Sequence, residues 1–377
     1  MKLPRAFYEA VATLTGCIIG AGILGIPYVV VRSGFWTGML VIIGLGLASL
    51  LIHLLTGEVA LRSKTCHQLV GYATKYLGKP GKYLMTASMI IGVYGALIAY
   101  TLGTSESLSA LFGGPVWMWA VIFYALMSAL IYGGIQMLEK SELWMEGLKF
   151  VVFIAILVVL FSSKYFSSAR FVGFAWEKLL IPYGVVLFAY AGTAAIPEVR
   201  EELQKCKLLT RNAIIWGSVI PMITYALFAI AVVGVTGGLT TEVATIGIAK
   251  ATGGFTFILL HVFAILAMAT SFIALGYALK DMYHLDFKLP HGESWILTIA
   301  IPALLIGVGI HSFVDTLQVA GVFAGGLAGI TIVLMHAKAR KRSERKPEYQ
   351  IKMNWLVYGV LIALFAIGML FELSLLL

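Results

Sequence analysis

The chain has 377 residues, of which 60% are apolar and only 12% are charged, with a formal net charge of +9. Soluble domains average about 45–50% apolar and about 25% charged residues, and their cores stop growing near roughly 250–300 residues, so a soluble globule and a disordered chain are both excluded. The apolar runs are long and continuous rather than alternating, which argues against a β-barrel and for an all-α polytopic membrane protein.

Taken in chain order, the apolar stretches fall at 7–31, 37–60, 83–108, 116–135, 146–163, 179–199, 212–236, 254–281, 293–311, 314–336 and 354–376. A spanning helix needs about 20 apolar residues, so these predict about eleven spans. The first stretch is too long for a removable signal peptide and is followed by no small-residue cleavage site. Segment 62–82, RSKTCHQLVGYATKYLGKPGK, is polar enough for an interfacial or cytoplasmic helix with a loop. The connections are short, which predicts a single transmembrane domain.

Charge sets the orientation. With the N-terminus in the cytoplasm, the inner segments carry 21 Lys and Arg and the outer segments five, with Lys149 left inside a span. A bias of that size in short loops follows the positive-inside rule and puts the C-terminus outside the cell membrane. The basic residues lie beside apolar runs, so no nucleic-acid partner is expected. The run KARKRSERK at 338–346 reads as an anchor for the last two spans rather than as a dedicated lipid site. Cys17, Cys66 and Cys206 are far apart and show no metal-ligand spacing, so neither a disulfide framework nor a zinc site is expected.

Two spans carry helix-breaking runs. Span one reads GAGILGIP from Gly20 to Pro27, and span six reads YAGTAAIP from Tyr190 to Pro197. Shifted by 170 positions, both read AGxxxIPxV. Span one opens the first five spans and span six the next five, and an odd repeat length inserts the second copy upside down. The expected organisation is one repeat over about 5–163, a second over about 175–337, and an extra helix at about 354–376. Paired Gly/Pro-interrupted helices in inverted repeats point to a transport site at mid-membrane. Unwound backbone at that depth is tolerated only where it lines a cavity or is buried in protein. Proline in the first turn of a resuming helix loses no hydrogen bond, because that N–H has no partner anyway.

These residues resemble the amino acid–polyamine–organocation superfamily, and most of all its amino acid/auxin permease branch, which includes bacterial aromatic amino acid permeases. GAGILGIPY looks like that branch's first-span motif, and FAYAGTAAIPEVREEL at 188–203 like its sixth-span signature. The resemblance implies a five-plus-five inverted-repeat fold with helices one and six broken, and ion-driven amino acid uptake without a cofactor. The chemistry of the breaks agrees. A resuming half-helix presents free N–H groups and a positive dipole end. Backbone around Gly20, Ala21 and Gly22 is therefore expected to hold the substrate carboxylate. Freed carbonyls near Ile18, Ile19, Phe188 and Ala189 are expected to accept the ammonium protons. Small residues at Gly20, Gly22, Gly192 and Thr193 leave room for an aromatic or bulky neutral side chain. By resemblance, Tyr100 rather than Tyr94 lines the site from span three, and Phe188 acts as an aromatic lid.

Lys149 lies early in span five, and an ionisable residue within a span is a functional candidate by default. The run AMATS, Ala267 to Ser271, has the spacing of a sodium site in related transporters. By that resemblance the ion's neighbours are Gly16, Ile19, Ala267, Thr270 and Ser271. Proton-coupled relatives place a fifth-span lysine amine where the sodium would sit, and a buried amine readily loads and releases a proton. A cation and a sodium ion in one cavity repel, so proton coupling is favoured over sodium. Lone His53 and His261 are expected to bond neighbouring carbonyls. Glu58, and Glu198 with Arg200, Glu201 and Glu202, read as an inner gate or a solvated face. The sequence carries no Walker motif, HExxH or GxSxG, which argues against an ATP-driven pump and an enzyme. A non-transporting amino acid sensor on the same fold is the other reading.

Overall fold

A computed structural model describes residues 3–133, 142–252 and 254–377, and no strand occurs among them. Span one is α1 (Arg5–Ile18) followed by a 3-10 turn, Ala21–Gly25, and α2 (Ile26–Ser33). The two halves are bent by 46°. Then come α3 (Phe35–Arg62), the short amphipathic α4 (Leu69–Leu77), α5 (Lys79–Phe112), α6 (Val116–Gly133) and α7 (Glu142–Phe161). Span six is α8 (Tyr183–Ala189), a 3-10 turn at Thr193–Ala195, and α9 (Ile196–Glu202). The rest is α10 (Thr210–Thr236), α11 (Ala244–Thr252), α12 (Gly254–Asp281), α13 (His291–Val308), α14 (Phe313–Ala320), α15 (Gly326–Lys341) and α16 (Trp355–Leu376). Among the described residues, eight helices are long and apolar enough to cross a membrane, and the bent first pair makes a ninth. The fifth and sixth apolar stretches of the sequence hold α7 and the broken pair α8 and α9.

Local chemistry sets the boundaries. Gly78 (φ 76°) and Gly113 (φ 72°) bracket α5 in a conformation that L side chains rarely adopt. Span ten runs unbroken from Phe313 to Lys341, but Gly321–Gly325 is wound as a π-turn between α14 and α15. Ser88 of α5 donates to the Ala324 carbonyl in that turn (2.7 Å). Such a turn marks an inserted residue and a locally reset helix face.

The core forms around the broken spans. The second span packs along the seventh (α3 with α10) and the third along the eighth (α5 with α12), and the pieces of spans one and six lie against them. The helices α6, α13 and α16 stand outermost and turn large apolar side chains such as Trp117, Leu304 and Leu370 outward, as lipid requires. On one face, Glu242 accepts from the Ser312 hydroxyl and from the Val314 N–H of α14 (both 3.1 Å), and α11 packs on α10, α12 and α2.

The opposite face is tied by charged side chains. Arg200, at the end of α9, donates to Ser63 O (2.7 Å), Thr65 O (2.9 Å) and the Tyr72 hydroxyl (2.6 Å). Glu58 is not solvated. It is buried against Arg62 (2.7 Å) and His336 (3.2 Å), and it accepts the Ile351 N–H (2.6 Å). A buried carboxylate costs several kcal/mol unless paired in this way, and its contacts with His336 and the Ile351 N–H tie α3 to α15 and to the segment before α16. On the same face Lys75 and the Lys64 N–H hold Glu344, and these bonds lower its carboxyl pKa. Lys280, at the end of α12, is buried. Its amine donates to Ile131 O (2.9 Å) and lies over the Tyr277 ring.

Candidate substrate cavity at two broken helices

Both breaks are built alike. After Ile18 the chain leaves helical geometry at Ile19 and becomes extended at Gly20 (φ −102°, ψ −163°) before the 3-10 turn. After Ala189 it leaves helical geometry at Tyr190 and makes its own 3-10 turn. The helix resumes at Ile26 in one case and Ile196 in the other, each followed by proline in the first turn. Those two positions are separated by the same shift that aligns the motifs. The first N–H groups of a helical turn have no acceptor within it. Among the described residues, no partner for the Ala21 and Gly22 amides is found.

A cavity of about 1620 Å³ lies against both breaks. Leu3, Glu9, Glu202 and Asp281 line its mouth, on the face where Arg200 and Glu58 tie the helices. Among the described residues, none of α2, α11 or α13 lines it. That side is closed by tight packing. A Cβ on Gly22 would sit 3.1 Å from Ala189 Cα and from the Phe188 ring, and one on Gly25 would press on Val185 and Leu317.

Most of the residues singled out in the sequence meet here. Gly16, Ile18, Ile19, Gly20, Gly22, Tyr100, Phe188, Ala189, Thr193, Ala267, Thr270 and Ser271 all line the cavity. Tyr94 does not: its hydroxyl is engaged by Tyr283 (2.8 Å) and Leu297 O (2.9 Å) between spans. Tyr100 is buried, and no hydrogen bond of its hydroxyl is found among the described residues. That hydroxyl would lie 4.0 Å from a Cβ on Gly20, with Ser271 Oγ at 3.6 Å, so it faces the first break. Ala21 is buried behind the wall. Gly192 leaves no room for a ligand, because a Cβ there would collide with Ile18 and reach His53. The Lys149 side chain lies outside the described residues; Gly147, Phe150 and Phe153 of the same helix line the cavity.

No motif or spacing singles out Tyr225. It lies in an unbroken apolar run of span seven, fully buried, and its hydroxyl donates to both Ile18 O (2.5 Å) and Ala189 O (2.9 Å). His53 bonds Ser218 (2.9 Å) and the Tyr190 carbonyl, so the expectation of a carbonyl partner holds, and this histidine braces the second break. His261 likewise meets Phe257 O (2.8 Å). Thr270 turns its hydroxyl to Leu266 O (3.0 Å) and Ala267 O (3.1 Å) in its own helix.

Paired broken helices facing one cavity in an all-helical bundle define a membrane transporter with an inverted-repeat fold. The same fold occurs in the solved inward-facing conformation of Mhp1, with a TM-score of 0.66 and 17% identity, covering 98% of this chain and 89% of that one. A closed conformation of Mhp1, described as a nucleobase-cation-symport-1 family transporter, aligns with a TM-score of 0.65. The sequence matches the tryptophan/tyrosine permease family over residues 5–372, and the chain belongs to that family. Similar proteins include glutamine transporter 2 of Aliivibrio fischeri, 26% identical over 347 residues covering 87% of this chain and 88% of the relative. Tyrosine-specific transport system 1 of Haemophilus influenzae is 25% identical over 359 residues, covering 89% of this chain and 88% of the relative. The protein is thus a multi-pass membrane protein of an amino acid transporter family, and its named relatives are transporters rather than enzymes.

Proposed function

We propose that the protein is a proton-coupled amino acid permease of the cell membrane, working by alternating access, with its N-terminus in the cytoplasm and its C-terminus outside. The observation that carries this reading is the Gly22 amide and the Tyr100 hydroxyl, for which no partner is found among the described residues, on a cavity that both breaks line. Both line the first break, where a carboxylate would sit, and hydrogen bonds to a charged group contribute about 1.5–3 kcal/mol each. The carbonyls of Ile18, Ile19, Phe188 and Ala189 take the ammonium. The side chain lies toward Phe188 and Thr193, with a preference for aromatic or bulky neutral amino acids. The tyrosine and glutamine named for the relatives support that range. The cavity mouth lies on the face richest in Lys and Arg, so this conformation is open to the cytoplasm.

The reading assigns coupling to Lys149, whose amine bridges span one near Gly16 or Ile19 and span eight at Thr270 or Ser271. Deprotonation would free span one to move. A sodium-coupled reading is favoured by one observation: no hydrogen bond of Ser271 Oγ is found among the described residues, and it faces the first break. In that case the ion takes the Gly16 and Ile19 carbonyls, Ala267, Thr270 and Ser271.

The test is a thermal-shift screen of the twenty L-amino acids, followed by uptake into proteoliposomes under imposed gradients. A ligand that binds only the folded state raises its Tm. Accumulation should follow the pH gradient and vanish in Lys149→Ala, with binding kept within about tenfold. Uptake that needs sodium and ignores pH transfers the coupling to sodium. Binding without flux makes the protein a sensor.

A further inference from the structure

We propose that Tyr225 is the positioning residue for recognition of the substrate's ammonium group, an inference that rests on the amino acid reading above. The breaks strip the last carbonyls of α1 and α8 of their helical partners, and orphaned carbonyls of this kind must be satisfied. At Ile18 O one bond comes from the Gly20 N–H (2.8 Å) and another from Tyr225 (2.5 Å); at Ala189 O the Tyr225 bond is 2.9 Å. A phenol carries one proton, so it is shared between the two oxygens. Both Ile18 and Ala189 line the cavity, whereas Tyr225 is fully buried and does not. It reaches the two helix ends from behind.

The geometry has a chemical consequence. Two oxygens bonded to one hydroxyl lie no farther apart than the two bonds laid end to end. An ammonium group has tetrahedral donors, and two acceptors on it at ordinary distances stand about 4.6 Å apart. That spacing falls inside the limit set by Tyr225. The hydroxyl therefore ties one carbonyl from each repeat within a limit that includes the spacing a single primary ammonium spans. The scaffold behind it is firm. Tyr225 packs on the Tyr190 ring (5.1 Å between centroids), and Tyr190 is itself bonded to Ile42 O (3.1 Å). Tyr225 contributes nothing to the carboxylate end, which Tyr100 and the first-break amides occupy. Its loss should damage one end of the ligand and leave the other.

The experiment compares the wild type with Tyr225→Phe and Tyr100→Phe, both close to isosteric. The ligands are the tightest binder of the twenty L-amino acids and its deamino analogue, which has hydrogen in place of the ammonium. Binding is read by competition against the radiolabelled amino acid. Tyr225→Phe is expected to raise the Kd of the amino acid about tenfold and to leave the deamino acid within about twofold, so that discrimination for the ammonium falls. Tyr100→Phe is expected to weaken both ligands alike. A merely structural role for Tyr225 would also lower both affinities together, and that result overturns the inference, as does unchanged binding of both. If no amino acid binds the wild type, the amino acid reading itself fails and takes this inference with it.

Discussion

The two breaks share a motif and resume their helices at matching positions, Ile26 and Ile196, but differ in setting. At the first, a Cβ on Gly20 would make only ordinary contacts. At the second, His53 takes the Tyr190 carbonyl, Ile42 takes the Tyr190 hydroxyl, and Ile18 fills the space in front of Gly192. The same glycine and proline pattern thus leaves room in front of Gly20 at one break and none in front of Gly192 at the other, although both breaks line the cavity. The motif specifies where the helix stops; the neighbouring spans decide what the exposed backbone meets.

The largest effect that could break this contrast is at Gly192. Gly192→Val drives a branched side chain into Ile18 and His53, and overpacking of this kind costs about 3 kcal/mol. A marked fall in Tm in detergent is expected; a wild-type Tm would mean that the second break is as open as the first.

Gly22→Val ranks next, and its damage should be functional. Its Cβ would press on Ala189 and Phe188 beside the carboxylate donors, so loss of amino acid binding with retained membrane insertion is expected. Wild-type affinity in that variant would remove span one from the binding site.

The tyrosines of span three sharpen the comparison with a smaller effect. Tyr94→Phe removes two bonds between spans and should cost about 1 kcal/mol of stability without touching affinity. Tyr100→Phe should do the reverse, weakening binding about tenfold at unchanged Tm. Exchange of the two phenotypes would mean that the register of α5 has been misread.

Smallest of all is Gly20→Ala. Gly20 is extended and has space, so its alanine variant should fold with stability within about 0.5 kcal/mol of wild type. A large loss of Tm there would show that the first break is packed as firmly as the second.

What the sequence could show was governed by range. The breaks were legible because Gly20, Gly22, Pro27, Gly192 and Pro197 act on their own backbone, and the spans because apolar length is a local property. Tyr225 was not, since a tyrosine inside PMITYALFAI looks like any packing residue until the fold brings two distant carbonyls to it. The burial of Lys280 and Glu58 was not legible for the same reason. Their burial depends on Ile131, Arg62 and His336, which only the assembled bundle supplies. The short α11 fell between two apolar stretches and had too few residues to register as an element.

Arg200 has a bearing on how span six can move. One planar guanidinium makes every bond between the end of α9 and Ser63, Thr65 and Tyr72, and its donors are fixed in a fork. Those three bonds have no independent lives: rotating the plane to release one disturbs the others. The bonds that seat α9 on that face are therefore held together by one side chain rather than yielding one at a time.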